Sequence, residues 1–136
     1  MKTIFLDFDG VLHESSFHIN NPFSRLNYFE PLLEKYSFDV VVSSTWRFHY
    51  RINDLKIKLK KLGERVVGVT GEPFGGVYPR FMEINEYAEF NQISDWRALD
   101  DAKLQFPKDE PRLIYCDPQK GISEIQVDIL KCWLEN

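Results

Sequence analysis

What this sequence has little of narrows the field first. Cysteine is scarce. The two present, Cys116 and Cys132, form no CxxC pair and have no histidine at a metal-ligand spacing, which argues against a thiolate zinc site and a disulfide-stapled framework. They read as buried structural thiols in a reducing compartment, with one disulfide as the alternative. Long apolar runs are missing too: none approaches the roughly 20 residues needed to span a bilayer. The first residues lead straight into an apolar strand, with no signal-peptide core before it. The expected setting is therefore cytoplasmic, without a membrane partner. Positive charge is not in excess, with 17 Lys and Arg against 21 Asp and Glu and a net charge of -4. That balance gives no general attraction to nucleic acid or anionic membrane, and leaves only a local basic patch open. There is no internal repeat and no low-complexity segment.

What remains is a chain of 136 residues, 43% hydrophobic and 15% aromatic. This suits a single domain over residues 1–136 that buries roughly two-thirds of its surface. Short β-rich runs alternate with helical patterns. The strands are expected at "KTIFLD" (2–7), "FDVVVSS" (38–44), "RVVGVT" (65–70), "SDWRALDD" (94–101) and "PRLIYCD" (111–117). The near-continuous apolar character of the first two fits strands covered on both faces. Helices are expected over 29–36, with Pro31 in the first turn, and over 47–62, with Ile52, Leu55, Leu59 and Leu62 on one face and Gly63 as the stop. Two more are expected over 81–90, through Phe81, Ile84, Tyr87 or Ala88, and Phe90, and over 122–134, through Ile122, Ile125, Ile129 and Trp133. Such alternation predicts an α/β fold, a three-layer sandwich with a mostly parallel five-stranded sheet.

In open parallel sheets, ligands bind beyond the carboxyl ends of the strands. Here those ends carry Asp7 and Asp9, then Ser43, Ser44 and Thr45, then Asp100 and Asp101, then Asp117. Carboxylates without His or Cys make a hard-oxygen site suited to Mg²⁺, and a bound cation relieves the repulsion between neighbouring acids. Asp117, followed by Pro118 in "DPQKG", reads instead as a turn residue.

Together these residues resemble the haloacid dehalogenase (HAD)-like superfamily. "DFDGVL" is similar to its first motif, DxDx[TV]; "VVVSSTWR" to its second, an apolar strand ending in Ser or Thr; and "ALDDA" to its acidic fourth motif. The third motif, Lys or Arg near a helix start, is met by Arg80 in "YPRFMEI", whereas Lys103 follows the acidic pair, in the wrong order. Within the superfamily, "SSTWR", "PRFMEI", "ALDD" and "CDPQKGIS" resemble the small HAD domains linked to RNA repair, the Swiss Army Knife group. The resemblance implies a Rossmann-like HAD fold and a Mg²⁺-dependent phosphomonoester phosphatase. In it Asp7 is nucleophile and metal ligand, and Asp9 is the general acid and base that also ligates through its backbone carbonyl. Asp100 and Asp101 complete the metal site, directly or through water. Ser43, with Ser44 as neighbouring candidate, binds a phosphoryl oxygen, and Arg80 faces the phosphoryl charge. Gly10 turns the chain after the acids and offers its amide to the phosphoryl oxygens. Phe8 is expected to point away from the acids into the core.

The gaps between strands are too short for an inserted cap domain, so an open, capless site is expected. It would admit a large substrate such as a polynucleotide end or a phosphoprotein, or another chain would close it; the sequence is compatible with a monomer and leaves the oligomeric state open. The loops 13–25 and 71–79 would rim the entrance, where His13, Phe17, His18, Phe23 and Phe74 either contact substrate or pack. The basic residues after the second strand, from Arg47 to Lys61, read as a solvated face, and Trp46 and Trp96 as core. The alternative functions are a HAD-like module that binds a phosphorylated partner or nucleic acid without turnover, and a phosphotransferase.

Overall fold

The computed structural model describes residues 1–15, 21–73 and 75–136. Five strands, β1 (Thr3–Leu6), β2 (Asp39–Val42), β3 (Val66–Val69), β4 (Trp96–Asp100) and β5 (Leu113–Tyr115), form one sheet in the order β3-β2-β1-β4-β5. Every pairing is parallel. Phe17, His18 and Phe74, expected at the entrance, lie outside the described residues.

The side chains of the strands explain why the sheet is covered on both sides. Phe5, Val41 and Ala98 point to one face, where they bury against Ile84 and Ala88 of α3 (Pro79–Phe90) and against Phe106. Ile4, Leu6, Val40, Val42, Leu99 and Ile114 point to the other. That face is covered by α1 (Glu30–Lys35), α2 (Ile52–Lys58) and α4 (Glu124–Glu135), through Leu32, Leu55 and Leu130. The result is the expected three-layer sandwich. Residues 70–78 join β3 to α3 without room for a domain, and among the described residues between β1 and β2 only a 3-10 turn (Leu26–Phe29) and α1 occur. Among the described residues no helix is long and apolar enough to cross a membrane.

Several expectations need correction. The helix foreseen over 47–62 is three pieces: a 3-10 turn (Thr45–Phe48), α2, and a second 3-10 turn (Lys60–Arg65). Arg51 is extended (ψ 157) and Lys60 takes the left-handed conformation (φ 55), so the chain breaks at residues whose side chains give no warning. Gly63 is not a left-handed stop; it lets the turn press against the Lys56 carbonyl, where a Cβ would overlap backbone. In α4 the apolar stripe is out of phase with expectation. A capping box between Ser123 and Gln126 fixes the start, so that Val127, Leu130 and Trp133 face inward and Ile125 and Ile129 face solvent. Cys132 follows them outward and is exposed, whereas Cys116 is buried, and both are free thiols. Likewise Phe90 at the end of α3 is exposed rather than core.

Gly63→Ala should cost about 1–3 kcal/mol, the range for a methyl forced into filled space. Gly75→Ala, where a Cβ meets nothing within 4 Å, should stay within about 0.5 kcal/mol. The midpoints of urea unfolding measure both.

Candidate active site

The sheet's order reverses at β1, whose neighbours β2 and β4 run off in opposite directions. Such a reversal opens a crevice at the carboxyl edge. The register carries β1, β2 and β4 one step beyond Leu6, Val42 and Leu99. Asp7 donates its amide to the Leu99 carbonyl (3.1 Å) and Ser43 donates to Leu6 (3.0 Å). Asp7, Ser43 and Asp100 therefore occupy equivalent positions on adjacent strands, on the face covered by α3.

From α3 comes Arg80. Its Nη1 donates to Asp100 Oδ2 at 2.6 Å and stands 3.5 Å from Asp7 Oδ1, while its Nε is 3.5 Å from Glu83 Oε2. All four residues are buried. Pro79 at the first turn of α3 sets the chain direction, and the three-residue spacing puts Arg80 and Glu83 on one side of the helix. Glu83 also accepts from Arg47 Nη2 (3.1 Å), and Arg47 Nη1 donates to the carbonyls of Ser43 and Ser44 at 2.9 Å each. Arg47 is thus not on the solvated basic face expected for it: its side chain is 3% exposed. Lys103 plays no part here, its Nζ lying over the ring of Tyr115.

Burial, then the neighbouring Asp100, raise the Asp7 pKa well above the usual 3.8, and Arg80 draws it back only in part. Burial likewise raises Asp101. At Arg80 burial opposes the charge, but Asp100, Asp7 and Glu83 outweigh it and hold the guanidinium more firmly protonated than usual. One carboxylate oxygen from each of Asp7, Asp100 and Asp101 lies within 4.8 Å of the others. Asp100 Oδ1 accepts from the Ala102 amide (2.9 Å).

Asp9 stands apart from this cluster. Its Oδ1 meets His13 Nε2 at 2.8 Å, and Trp46 Nε1 donates to Oδ1 and Oδ2 at 3.2 and 3.3 Å. Those hydrogen bonds, that of His13 foremost, hold its pKa below the usual value. Phe8 is buried among Phe23 and Trp46, as strand alternation implies. Phe23 is packing rather than an open contact, and Trp96 is core beside Phe5.

Two candidates change role. The Gly10 amide donates to the His13 carbonyl (2.9 Å), so it is already engaged within its own loop. What Gly10 supplies is a left-handed turn (φ 78) and empty space, since a Cβ there would overlap the Asp101 carboxylate. Ser44 caps the turn after β2, its Oγ accepting from the Trp46 amide at 3.2 Å. The Ser43 hydroxyl, by contrast, is buried with no hydrogen-bond partner among the described residues, as is that of Thr70 at the end of β3. Asp117 is the turn residue it resembled, accepting from the Gln119 amide at 2.9 Å. The motifs do not mark Glu83, Arg47 reads as a solvated residue and Trp46 as core, and His13, expected at the entrance, stands instead against Asp9. The spacings Arg80–Glu83 and Asp9–His13 were the available signals.

An all-parallel sheet of this order, with a DxD after β1, a serine after β2, an arginine at the start of α3 and a DD after β4, defines a small HAD-like domain without a large cap. The family model described as "HAD domain in Swiss Army Knife RNA repair proteins" matches residues 3–127, and the chain belongs to that family. No curated protein and no solved structure matches it.

The raised Asp7 pKa has a definite sign. Below pH 3.8 the carboxyl is protonated in both states. Above it the unfolded chain ionises while folded Asp7 keeps its proton, so this group lowers stability as pH rises through the window up to its folded pKa. In metal-free buffer Asp7→Asn should therefore melt higher than wild type at pH 7 and converge with it near pH 4. Each kcal/mol relieved corresponds to roughly 4 °C in a domain of this size. Thermal unfolding followed by circular dichroism across that range measures the difference.

Proposed function

We propose that the protein is a Mg²⁺-dependent hydrolase of phosphomonoesters that works through an aspartyl-phosphate on Asp7. The observation that carries this reading is the convergence of a carboxylate nucleophile, a guanidinium and an unpartnered buried hydroxyl (Asp7, Arg80 and Ser43) on one sheet edge.

The residues fit a divalent cation. Among the described residues, four carboxylates (Asp7, Asp100, Asp101 and Glu83) face two guanidiniums, those of Arg80 and Arg47. The donors that converge are all oxygens, the set that suits Mg²⁺. Asp7, Asp100 and Asp101 would hold it, with the Asp9 carbonyl as the family pattern implies. When bound it supplies positive charge against the phosphoryl oxygens and keeps the acids ionised.

The chain's own groups account for the rest. Arg80 holds the phosphoryl charge against Asp7, and the Ser43 hydroxyl donates to a phosphoryl oxygen. An Asp7 oxygen bonds to phosphorus as the ester P–O bond breaks. Its electron pair goes to the leaving oxygen, which takes a proton from Asp9. Water then bonds to phosphorus, the bond to Asp7 breaks and returns its pair to the carboxylate, and Asp9 takes the proton that water loses. A phosphate dianion beside Asp9 favours the protonated form needed at the start. The carboxylate is 39% exposed, so a leaving oxygen can reach it. With no cap over the edge, the substrate class we favour is a large phosphomonoester, a polynucleotide end or a phosphoprotein. Transfer to an alcohol in place of water uses the same groups.

Purified protein should release phosphate from an aryl phosphate with Mg²⁺ and stop on chelation. Asp7→Asn should lower the rate by at least about 10³-fold, as loss of a covalent nucleophile does. Absence of turnover on a panel of phosphorylated metabolites, nucleotides and 3′- or 5′-phosphorylated oligonucleotides, together with absence of Mg²⁺ binding, would refute the proposal. Tight metal-dependent binding of a phosphorylated ligand, unaffected by Asp9→Asn and without phosphate release, would establish a binding module instead.

A further inference from the structure

The segment after β1 folds back on itself. Val11 and Leu12 donate their amides to the Phe8 carbonyl (3.1 and 2.9 Å), and Gly10 donates to His13. This compact turn brings His13 back alongside Asp9, with which it forms an isolated bridge. The turn is also pinned from outside: Ile122 donates to Val11 (2.8 Å) and Arg25 to Leu12 (2.9 Å). His13 is 1% exposed, packed against Phe23 and Trp46.

Both ring nitrogens of His13 are used, and their uses fix the tautomer. The Phe23 amide donates to Nδ1 at 3.1 Å, so Nδ1 is the acceptor and the proton sits on Nε2. Nε2–H then donates to Asp9 Oδ1. Phe23 holds this arrangement in a left-handed conformation (φ 61), uncommon for an aromatic residue. Among the described residues, Oδ1 thus receives two donors, from His13 and Trp46, whereas Oδ2 receives only the longer one from Trp46.

We propose that His13 is a positioning residue for Asp9: it anchors Oδ1 so that Oδ2 is the oxygen that carries and returns the catalytic proton. The His13 proton stays on Nε2 throughout, and no proton passes between the two side chains. The device is a carboxylate clamped by one imidazole N–H on Oδ1 and one indole N–H shared between its two oxygens, so that Oδ2, the less engaged of the two, keeps a fixed aim through both halves of the reaction. Precise aim matters because proton transfer to a leaving oxygen requires hydrogen-bond reach at the moment of bond breaking. This inference rests on the phosphatase reading above.

Leaving groups test it. A nitrophenolate departs with little help, whereas an unsubstituted phenolate needs the proton more. The experiment compares kcat/KM for p-nitrophenyl phosphate and phenyl phosphate in wild type, His13→Phe and His13→Gln. Phenylalanine fills the space without a donor, and glutamine's amide can take the place of Nε2–H. His13→Phe should lose about tenfold more on phenyl phosphate than on the nitrophenyl ester, and His13→Gln should recover most of that difference. Equal losses on both esters, or glutamine no better than phenylalanine, would mean that His13 only packs, and would overturn the proposal. If His13→Phe does not fold, His13→Asn, too short to reach Asp9, takes its place with the same two outcomes. Failure of the phosphatase reading is separate: wild type would then release phosphate from neither ester.

Discussion

The contact of Arg80 with Asp100 and Asp7 is the interaction on which the rest of the site depends. It places a guanidinium between two carboxylates where almost no water reaches. Buried charges persist only when paired and hydrogen-bonded. Glu83 and Arg47 extend the pairing, and Arg47 ties it to the backbone of the β2 end. One connected set of charges thus joins α3, β1, β2 and β4. The Asp7 pKa is raised by burial first and by the neighbouring Asp100 carboxylate second, and Arg80 offsets these only in part. A divalent cation held by Asp7, Asp100 and Asp101 at the same edge would favour the ionised Asp7 that the proposed chemistry needs.

The fold supplies the geometry at low cost. Equivalent register positions on β1, β2 and β4 bring Asp7, Ser43 and Asp100 side by side without any loop having to be shaped for it. The part that does need a shaped loop is Asp9. Two residues beyond Asp7, it has left the strand, and its orientation comes from the turn over residues 8–13, made possible by Gly10, and from Trp46 after β2. The same edge is therefore divided into a rigid strand-borne half and a half held by a loop and aromatic packing.

Much of this was legible in the sequence for a physical reason. Buried parallel strands demand near-continuous apolar runs, and chemistry at their ends demands polar residues there. "IFLD", "VVVSS" and "ALDD" carry both signals at once. Part of what the sequence hid depends on tertiary partners, and part lies in local caps and turns. Nothing local marks Lys60 as left-handed, and the phase of α4 follows from the Ser123–Gln126 cap rather than from counting isoleucines. Arg47 resembles the lysines that follow it until Glu83 arrives from another helix. Similarly, Gly10 is recognisable as a turn residue, but the partner that occupies its amide is a histidine visible only once the turn is closed.

The central claim is that Asp7, neutralised on one side by Arg80, is the atom donor that takes the phosphoryl group. Its most direct test is to quench the protein with acid during turnover of an aryl phosphate in Mg²⁺ and map any adduct by peptide mass spectrometry. The account predicts a phosphoryl group on the peptide carrying Asp7, released by hydroxylamine and absent from Asp7→Asn. Steady turnover in rapid-quench samples with no such adduct, or with the phosphoryl group on another residue, would contradict it.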